Sequence, residues 1–328
     1  MNLLLKPLAT AREIRARRPP KARIDPHHPI DVLIETERQP NGEALESLTV
    51  FLAGSECPFT CVFCDLWQHT LDEPTPREAL PEQLRQALAN TGFEPRGRQV
   101  KLYNASNFFE ARAVPESDDE AIAALAKRCA SVVVECHPRL IGERCLRFAE
   151  RLDGRLQVAM GLETVHPEIQ PRLGKGADLD DFARAAETLG RHGIGWRAFV
   201  LVGLPFLHRD EAAHWAIEST RWAIGHGAEH VALIPLRGET LQRTLGPESF
   251  SPPVLKDLEE ALDRSLETVG KQRASTVITA DLWDIDALAR CPHCAADRRA
   301  RLERLHQTGI LEPRAVCTVC SAPSCTPY

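Results

Sequence analysis

Three cysteines near residue 60 are the first residues whose types and spacing could do chemistry. Cys57, Cys61 and Cys64 lie in the segment GSECPFTCVFCDLW with the spacing C-x3-C-x2-C. Three thiolates on one short loop can converge on one metal centre, and a [4Fe-4S] cubane held by three cysteines leaves one iron open to an exogenous ligand. Structural zinc is the weaker interpretation because it usually takes four ligands in two separated pairs. The spacing therefore favours a reactive iron-sulfur cluster.

A second group of cysteines lies near the carboxyl end of the sequence. The motifs CPHC and CTVC form a C-x2-C-x22-C-x2-C array that consists of Cys291, Cys294, Cys317 and Cys320. Two such pairs predict a zinc site, and the alternative is an auxiliary iron-sulfur cluster in which Cys325 or His293 replaces a ligand. The segment between the pairs could dock RNA or the rest of the protein through cationic residues in a helical pattern: Arg298, Arg299, Arg301, Arg304 and His306.

The first cysteine loop follows one of six short apolar runs that alternate with helical patterns. The predicted strands span 48–53, 99–104, 131–136, 155–161, 196–203 and 230–236, and the predicted helices span 79–90, 118–129, 141–152, 178–191 and 209–226. Short runs rich in β-branched residues and joined by helices predict parallel strands with right-handed crossovers. We expect an α/β fold, a partial (β/α)6 TIM-like barrel, with ligands at the carboxyl ends of its strands.

Length and composition set the expected organisation. The chain has 328 residues, 43% of them hydrophobic, and a net charge of -6. We expect an N-terminal arm at 1–46 that is basic at its start, a core at 47–271 and a Cys-rich metal-binding extension at 272–328. Eleven cysteines without a signal peptide pattern fit metal ligands better than disulfides. No run approaches about 18 apolar residues, so we expect no membrane association and a cytoplasmic location.

The motifs resemble the radical S-adenosylmethionine (SAM) superfamily. The cysteine loop matches, with Phe63 before its last cysteine, and the runs QVKLYNASNFF, VVVECHP, GLETVHPEIQPRLGKGA and WRAFVLVGLPF look like the branch that contains the archaeosine synthase radical SAM subunit and the elongator catalytic subunit. The similarity covers about residues 48–240. It implies that SAM binds the open iron, that a reductant such as flavodoxin or ferredoxin reduces the cluster, and that SAM is cleaved to methionine and a 5′-deoxyadenosyl radical.

The resemblance also implies which residues bind SAM. Contacts to its amino and ribose groups are expected from residues that end the second, third and fourth predicted strands: Asn104, Ser106, Glu135 and Glu163. The common Gly-Gly-Glu after the second strand is absent. Arg197 could bind the SAM carboxylate bidentately, and Gly203 could let the backbone approach the adenosine. As an alternative, each glutamate could pair with an arginine such as Arg139. Lys175, on the loop after the fourth strand, is expected to be solvated, and the alternative is that it contacts an anionic substrate.

These features predict hydrogen abstraction by the deoxyadenosyl radical as the reaction. Modification of tRNA or a nucleoside, with RNA or a nucleoside-modifying enzyme as partner, is favoured by the resemblance, the basic arm and the arginine-bearing extension. The main alternative is biosynthesis of a natural product or cofactor, for which the negative net charge is an argument. An alternative of another class is a noncatalytic zinc-dependent RNA-binding or scaffold protein, against which the complete cysteine loop argues.

Overall fold

The described residues, 7–272 and 276–320 of a computed structural model, are built around one eight-stranded sheet with the order β1 to β8. β1 is antiparallel to β2, and β2 to β8 are parallel. The strands are β1 (Asp31–Arg38), β2 (Ala44–Phe51), β3 (Gln99–Tyr103), β4 (Ser131–Glu135), β5 (Arg155–Glu163), β6 (Gly195–Val202), β7 (His230–Pro235) and β8 (Val277–Ala280).

Helices follow the parallel strands in the pattern of a partial barrel. They are α1 (Ala11–Ala16), α2 (Ala79–Thr91), α3 (Asp119–Ala126), α4 (Glu143–Ala149), α5 (Leu179–Arg191), α6 (Ala212–Gly225), α7 (Glu239–Leu245), α8 (Leu255–Gln272) and α9 (Ala295–Thr308). Strands β2 to β7 and helices α2 to α6 correspond to the predicted elements, so the predicted α/β partial barrel is confirmed. The sequence did not predict β1 and β8, which widen the sheet at its two edges. The division of the chain at residues 46 and 271 stays a prediction.

Helix α5 shows how local sequence determines where a helix that covers the sheet begins and which face it buries. The Asp178 side chain caps its first turn by accepting a hydrogen bond from the backbone N–H of Asp181. The Asp181 side chain in turn accepts one from the backbone N–H of Asp178. The buried face has helical spacing and consists of Phe182, Ala185, Ala186 and Leu189. After α5, Gly193 adopts a φ of +68°, which glycine allows without strain and which turns the chain into β6.

The interior of the barrel has an aromatic layer above an ionic layer. The rings of Tyr103 and Phe199, from β3 and β6, lie 6.1 Å apart across the interior. Two residues earlier on the same strands, Lys101 and Arg197 bind the buried carboxylate of Glu37 at 2.9 and 2.7 Å. Because Glu37 comes from β1, this edge strand closes the floor of the barrel with a charged residue. Among the described residues, no helix is long and apolar enough to cross a membrane.

Candidate active site

The first cysteine loop leaves β2 and lies in a pocket at the carboxyl ends of the parallel strands. Cys57, Cys61 and Cys64 all line this pocket, and none of them is in a disulfide. Burial raises the pKa of all three thiols, that of Cys61 to about 11. The side-chain amide of Asn107 donates a hydrogen bond to the Cys57 sulfur at 3.2 Å. Thiols in such a place become thiolates when a cation compensates their charge, so the donor set fits a metal cluster.

Glu135 ends β4 and lies in the same pocket. The backbone N–H of Asn104 donates to its carboxylate at 2.7 Å, and the following loop bends back around it because Ala105 has a φ of +53°. Burial raises the pKa of Glu135 to about 7, although backbone hydrogen bonds from the loop act in the opposite direction. The alternative of a Glu135–Arg139 pair is wrong, because Arg139 binds Asp181 at 2.7 Å.

Glu163 ends β5 at a bulge and forms an ion pair inside the pocket. Its φ of +63° follows the register shift between Gly161 and Glu163. Lys175 Nζ donates to Glu163 Oε1 at 2.8 Å, and only 12% and 9% of the two side chains are exposed. Burial alone would lower the pKa of Lys175, but Glu163 and the neighbouring Cys61 raise it above its usual value. The expectation of a solvated Lys175 is therefore wrong.

The loop that carries Lys175 is packed against the cysteine loop. The residues on either side of it, Gly174 and Gly176, have φ angles of +77° and +74°, and a Cβ at Gly174 would lie 3.0 Å from the backbone oxygen of Thr60. The Phe59 ring stacks on His137 at a centroid distance of 3.9 Å. His137 Nε2 in turn lies 3.0 Å from the Lys175 carbonyl oxygen. These contacts fix the lysine relative to the three cysteines.

The predicted residues after β3 lie beside the pocket. Ser106 lines it, and its hydroxyl is buried without a hydrogen-bond partner among the described residues. The side chain of Asn104 accepts a hydrogen bond from the backbone N–H of Ser106 at 3.2 Å. Its amide nitrogen is also buried and has no partner within the described chain. A ligand that satisfies such a group removes an energetic cost, so Ser106, which lines the pocket, fits a polar ligand, whereas Asn104 is completely buried behind the lining.

Three of the predicted SAM-binding residues do not line the pocket: Asn104, Arg197 and Gly203. Arg197 faces the interior, but one layer below Phe199, and its guanidinium is occupied by Glu37 and Gln157. Gly203 follows β6 with a φ of +85°, and a Cβ there would lie 3.0 Å from the ring of Pro253. Packing against Pro253 thus explains the glycine at position 203, and Glu37 is the partner of Arg197 within the chain.

Sequence reasoning missed the closeness of three residues to the cysteines. The sequence favours a solvated Lys175 over one that contacts an anionic substrate and gives no role to Phe59 or His137, yet all three line the pocket. Burial and then the charge of Lys175 lower the pKa of His137 to about 4, so this ring is neutral near pH 7. One signal was available, because a lysine between two glycines is typical of a loop that makes a close approach.

The N-terminal arm is docked on the other side of the cysteine loop. Arg18 binds Glu56 at 2.7 Å and lies 4.6 Å above the centroid of the buried Trp67 ring. Lys21 binds Asp72 at 2.9 Å. Part of the basic charge of the arm therefore supports this loop. Four other arginines of the arm are exposed: Arg12, Arg15, Arg17 and Arg23.

The second group of cysteines converges on a single point. The ligand atoms of Cys291, Cys294, Cys317 and Cys320 all lie within 4.8 Å of one another. The sulfur of Cys291 lies 3.9 Å from that of Cys317, and the sulfur of Cys294 lies 3.7 Å from that of Cys320. This cluster could hold a metal ion, as the sequence predicted. Cys325, the possible replacement ligand, lies outside the described residues.

Residues 53–216, half of the chain, match the radical SAM superfamily, and the protein belongs to this superfamily. It is thus an enzyme of a superfamily that uses a [4Fe-4S] cluster, SAM and a reductant. Archaeosine synthase subunit beta of Methanosarcina acetivorans is 27% identical over 191 residues, which cover 55% of this chain and 54% of that protein. The chain therefore spans about half the length of this relative.

Other similar proteins are an uncharacterised protein and several solved structures. An uncharacterised protein of Methanocaldococcus jannaschii is 23% identical over 289 residues, which cover 82% of this chain and 77% of that protein. Among solved structures, Elp3 of Methanocaldococcus infernus has a TM-score of 0.47 at 13% identity and covers 73% of this chain and 60% of its own. The AdoMet complex of anSMEcpe with a Cp18Cys peptide has a TM-score of 0.49 at 12% identity, covering 71% of this chain and 62% of its own.

Proposed function

We propose that this protein is a radical SAM enzyme that modifies a nucleoside of tRNA, with a [4Fe-4S] cluster held by Cys57, Cys61 and Cys64. One observation carries the catalytic part of the proposal. The three cysteines share a single pocket with a buried carboxylate–ammonium pair at the carboxyl ends of the parallel strands, where α/β barrels bind their substrates. The similarity to archaeosine synthase subunit beta supports the nucleoside as substrate.

The Glu163–Lys175 pair is the proposed site for the methionine part of SAM. Its two charges lie 2.8 Å apart inside the pocket and are complementary to a ligand that carries an ammonium and a carboxylate group. Lys175 thus takes the role that the sequence suggested for Arg197. Glu135 and Ser106 offer an acceptor and a hydroxyl group on the neighbouring wall of the pocket. A [4Fe-4S] cluster held by Cys57, Cys61 and Cys64 would supply the electron for reductive cleavage of SAM.

Apolar residues of the chain protect this chemistry from water. Phe59, Phe63 and Leu66 from the cysteine loop, together with Phe199 from β6, line the pocket beside the thiols. A reactive radical needs such an apolar enclosure because water-filled sites permit side reactions. A cytoplasmic protein such as flavodoxin or ferredoxin is the proposed electron donor, and the cytoplasm is the proposed location.

The C-terminal cysteines are the proposed ligands of one zinc ion. A tetrahedral site with Zn–S bonds of about 2.3 Å places its sulfur atoms roughly 3.8 Å apart. The two sulfur–sulfur distances of 3.9 and 3.7 Å match this value. Four thiolates fill the coordination sphere of such an ion, so it has no open position for a substrate.

The substrate assignment is tested with RNA and metabolites side by side. Reconstituted protein is incubated anaerobically with SAM, a reductant and tRNA purified from a strain that lacks the gene, and in parallel with a small-molecule extract of that strain. We expect a nucleoside of new mass in the digested tRNA and its absence with the Cys57→Ala/Cys61→Ala/Cys64→Ala variant. A new mass in the extract alone, with unchanged tRNA, would replace the proposal by the biosynthetic alternative.

A further inference from the structure

The two edges of the sheet are bridged by one arginine. β1 and β8 lie at opposite ends of the strand order. Arg38, the last residue of β1, donates from Nη2 to the carbonyl of Ile278 in β8 at 3.0 Å and from Nε to the carbonyl of His306 in α9 at 3.2 Å. A single half-buried guanidinium thus connects both edge strands with the helix that follows the first pair of C-terminal cysteines.

The end of α9 is shaped to accept this arginine. Gly309 ends the helix with a φ of +66°, and a Cβ at this position would lie 2.2 Å from Nη1 of Arg38. His306 also places its Nδ1 3.2 Å from the carbonyl of Ala280 at the end of β8. The carboxyl end of α9 therefore closes over β1 and β8 together.

The amino half of α9 is anchored to α8 by ion pairs. Arg298 binds Glu259 at 2.6 Å, and Arg301 binds Asp263 at 2.7 Å; Glu259 is completely buried and Arg301 is 2% exposed. Leu302 belongs to the main hydrophobic core. Of the two roles considered for the arginines between the cysteine pairs, docking onto the rest of the protein is confirmed for these two.

The cysteine cluster joins the two ends of this bridging segment. Cys294 immediately precedes α9. Cys317 lies in the irregular segment that follows Gly309 and returns to the amino end of α9. On the way back, the carbonyl of Glu312 accepts a hydrogen bond from Arg301 at 2.6 Å. An ion bound by the four sulfurs closes a loop around α9, which limits how far the helix and the returning segment can separate.

We propose that the C-terminal metal ion acts as a clasp that holds the open edges β1 and β8 of the barrel together through α9 and Arg38. The proposal rests on the assignment of a metal to the four cysteines and is independent of the radical chemistry. It has a consequence for the interior, because β1 also carries Glu37, the carboxylate that binds Lys101 and Arg197 in the floor of the barrel. Loss of the ion releases β1 and with it this floor.

Hydrogen exchange of the full-length, cluster-reconstituted protein tests the clasp. The Cys291→Ser/Cys294→Ser variant is expected to lose one zinc per chain and to exchange the amides of β1 and β8 about tenfold faster or more, while β4 and β5 in the middle of the sheet keep their protection. Zinc is measured by elemental analysis on the same samples. Iron in excess of the about four atoms of the first site, with no zinc, in the wild type would overturn the metal assignment, and the exchange data would still decide the clasp.

Two arginine variants separate the clasp from general unfolding. Arg38→Met leaves all four cysteines intact, so we expect full zinc content together with the same faster exchange in β1 and β8. Arg304→Met is the matched control, because Arg304 lies on α9 but binds Glu312 within the C-terminal segment; its exchange is expected to equal that of the wild type. Unchanged protection of β1 and β8 in Arg38→Met or in a folded zinc-free variant would overturn the proposal.

Discussion

Replacing Lys175 with methionine removes the one cation that contacts Glu163 among the described ion pairs of the pocket. The side chain keeps most of its length, but a buried carboxylate is left without its partner. Breaking a buried pair by removing one member typically costs about 3–5 kcal/mol. With the two side chains 12% and 9% exposed, little solvent is available to replace the lost contact. We therefore expect the free energy of unfolding of cluster-free Lys175→Met to fall by about 3 kcal/mol.

Urea titration measures this loss, and two further variants interpret it. Lys175→Met/Glu163→Gln removes both charges and should recover most of the stability, because no buried charge remains uncompensated. Lys127→Met is the matched control, since Lys127 lies 3.9 Å from Asp153 in a pair whose side chains are 57% and 61% exposed. Its effect should stay within about 0.5 kcal/mol. An equal, small effect of both single lysine variants would refute the reasoning.

SAM affinity of the cluster-loaded protein separates a binding role of the pair from a structural one. If Lys175 and Glu163 contact SAM, the single and the double variant both lose affinity, by roughly tenfold to a hundredfold. The double variant would then be stable and still deficient in binding. Recovery of SAM affinity together with stability in the double variant would show that the pair only holds the pocket together.

Three further predictions follow from the same site and from the extension. The pKa of Glu135 is raised to about 7, so between pH 4.5 and 7 the folded chain keeps a proton that the unfolded chain releases. The free energy of unfolding of the cluster-free protein should therefore fall as the pH rises through this range, and it should fall less in Glu135→Gln. Urea titrations across the range measure both changes. Gly161→Ala places a Cβ 2.2 Å from Glu163 Oε1 and should weaken SAM binding measured by equilibrium dialysis, whereas Gly190→Ala on α5, with nothing within 4 Å, should not. Protein without the three cysteines of the first loop should contain about one zinc and no iron by elemental analysis; iron and sulfide in near-equal amounts would refute the zinc site.

The sequence predicted the central strands because their short apolar runs are typical of parallel strands that helices cover. Strand β4 has three consecutive buried valines, and β3 alternates buried Val100 and Leu102 with buried polar residues, as expected where helices cover one face of the sheet. β1 lies within residues 1–46, which the sequence predicts as an arm; its Glu35 and Glu37 bind Lys101 of β3, a pairing over more than sixty residues that local spacing does not reveal. β8 was missed because four residues are too few to show a periodic pattern.

The site could be predicted where spacing alone defines it. The cysteine pairs and triplet are local motifs, so their chemistry is visible in the sequence. The orientation of Arg197 depends on Glu37, which lies 160 residues away and cannot be located from local spacing. The ion pair of Lys175 likewise depends on a loop conformation that two glycines permit and that only the packed structure reveals. Contacts between side chains that are distant in the sequence, or that depend on a loop conformation, therefore could not be predicted from the sequence.

Formation of 5′-deoxyadenosine tests the central claim most directly. The wild type, reconstituted anaerobically to about four irons at the first site and supplied with SAM and a reductant, should produce 5′-deoxyadenosine and methionine. The Cys57→Ala/Cys61→Ala/Cys64→Ala variant should lack this iron and produce neither compound. Continued formation of 5′-deoxyadenosine by the triple variant would contradict the assignment of the cluster to this loop.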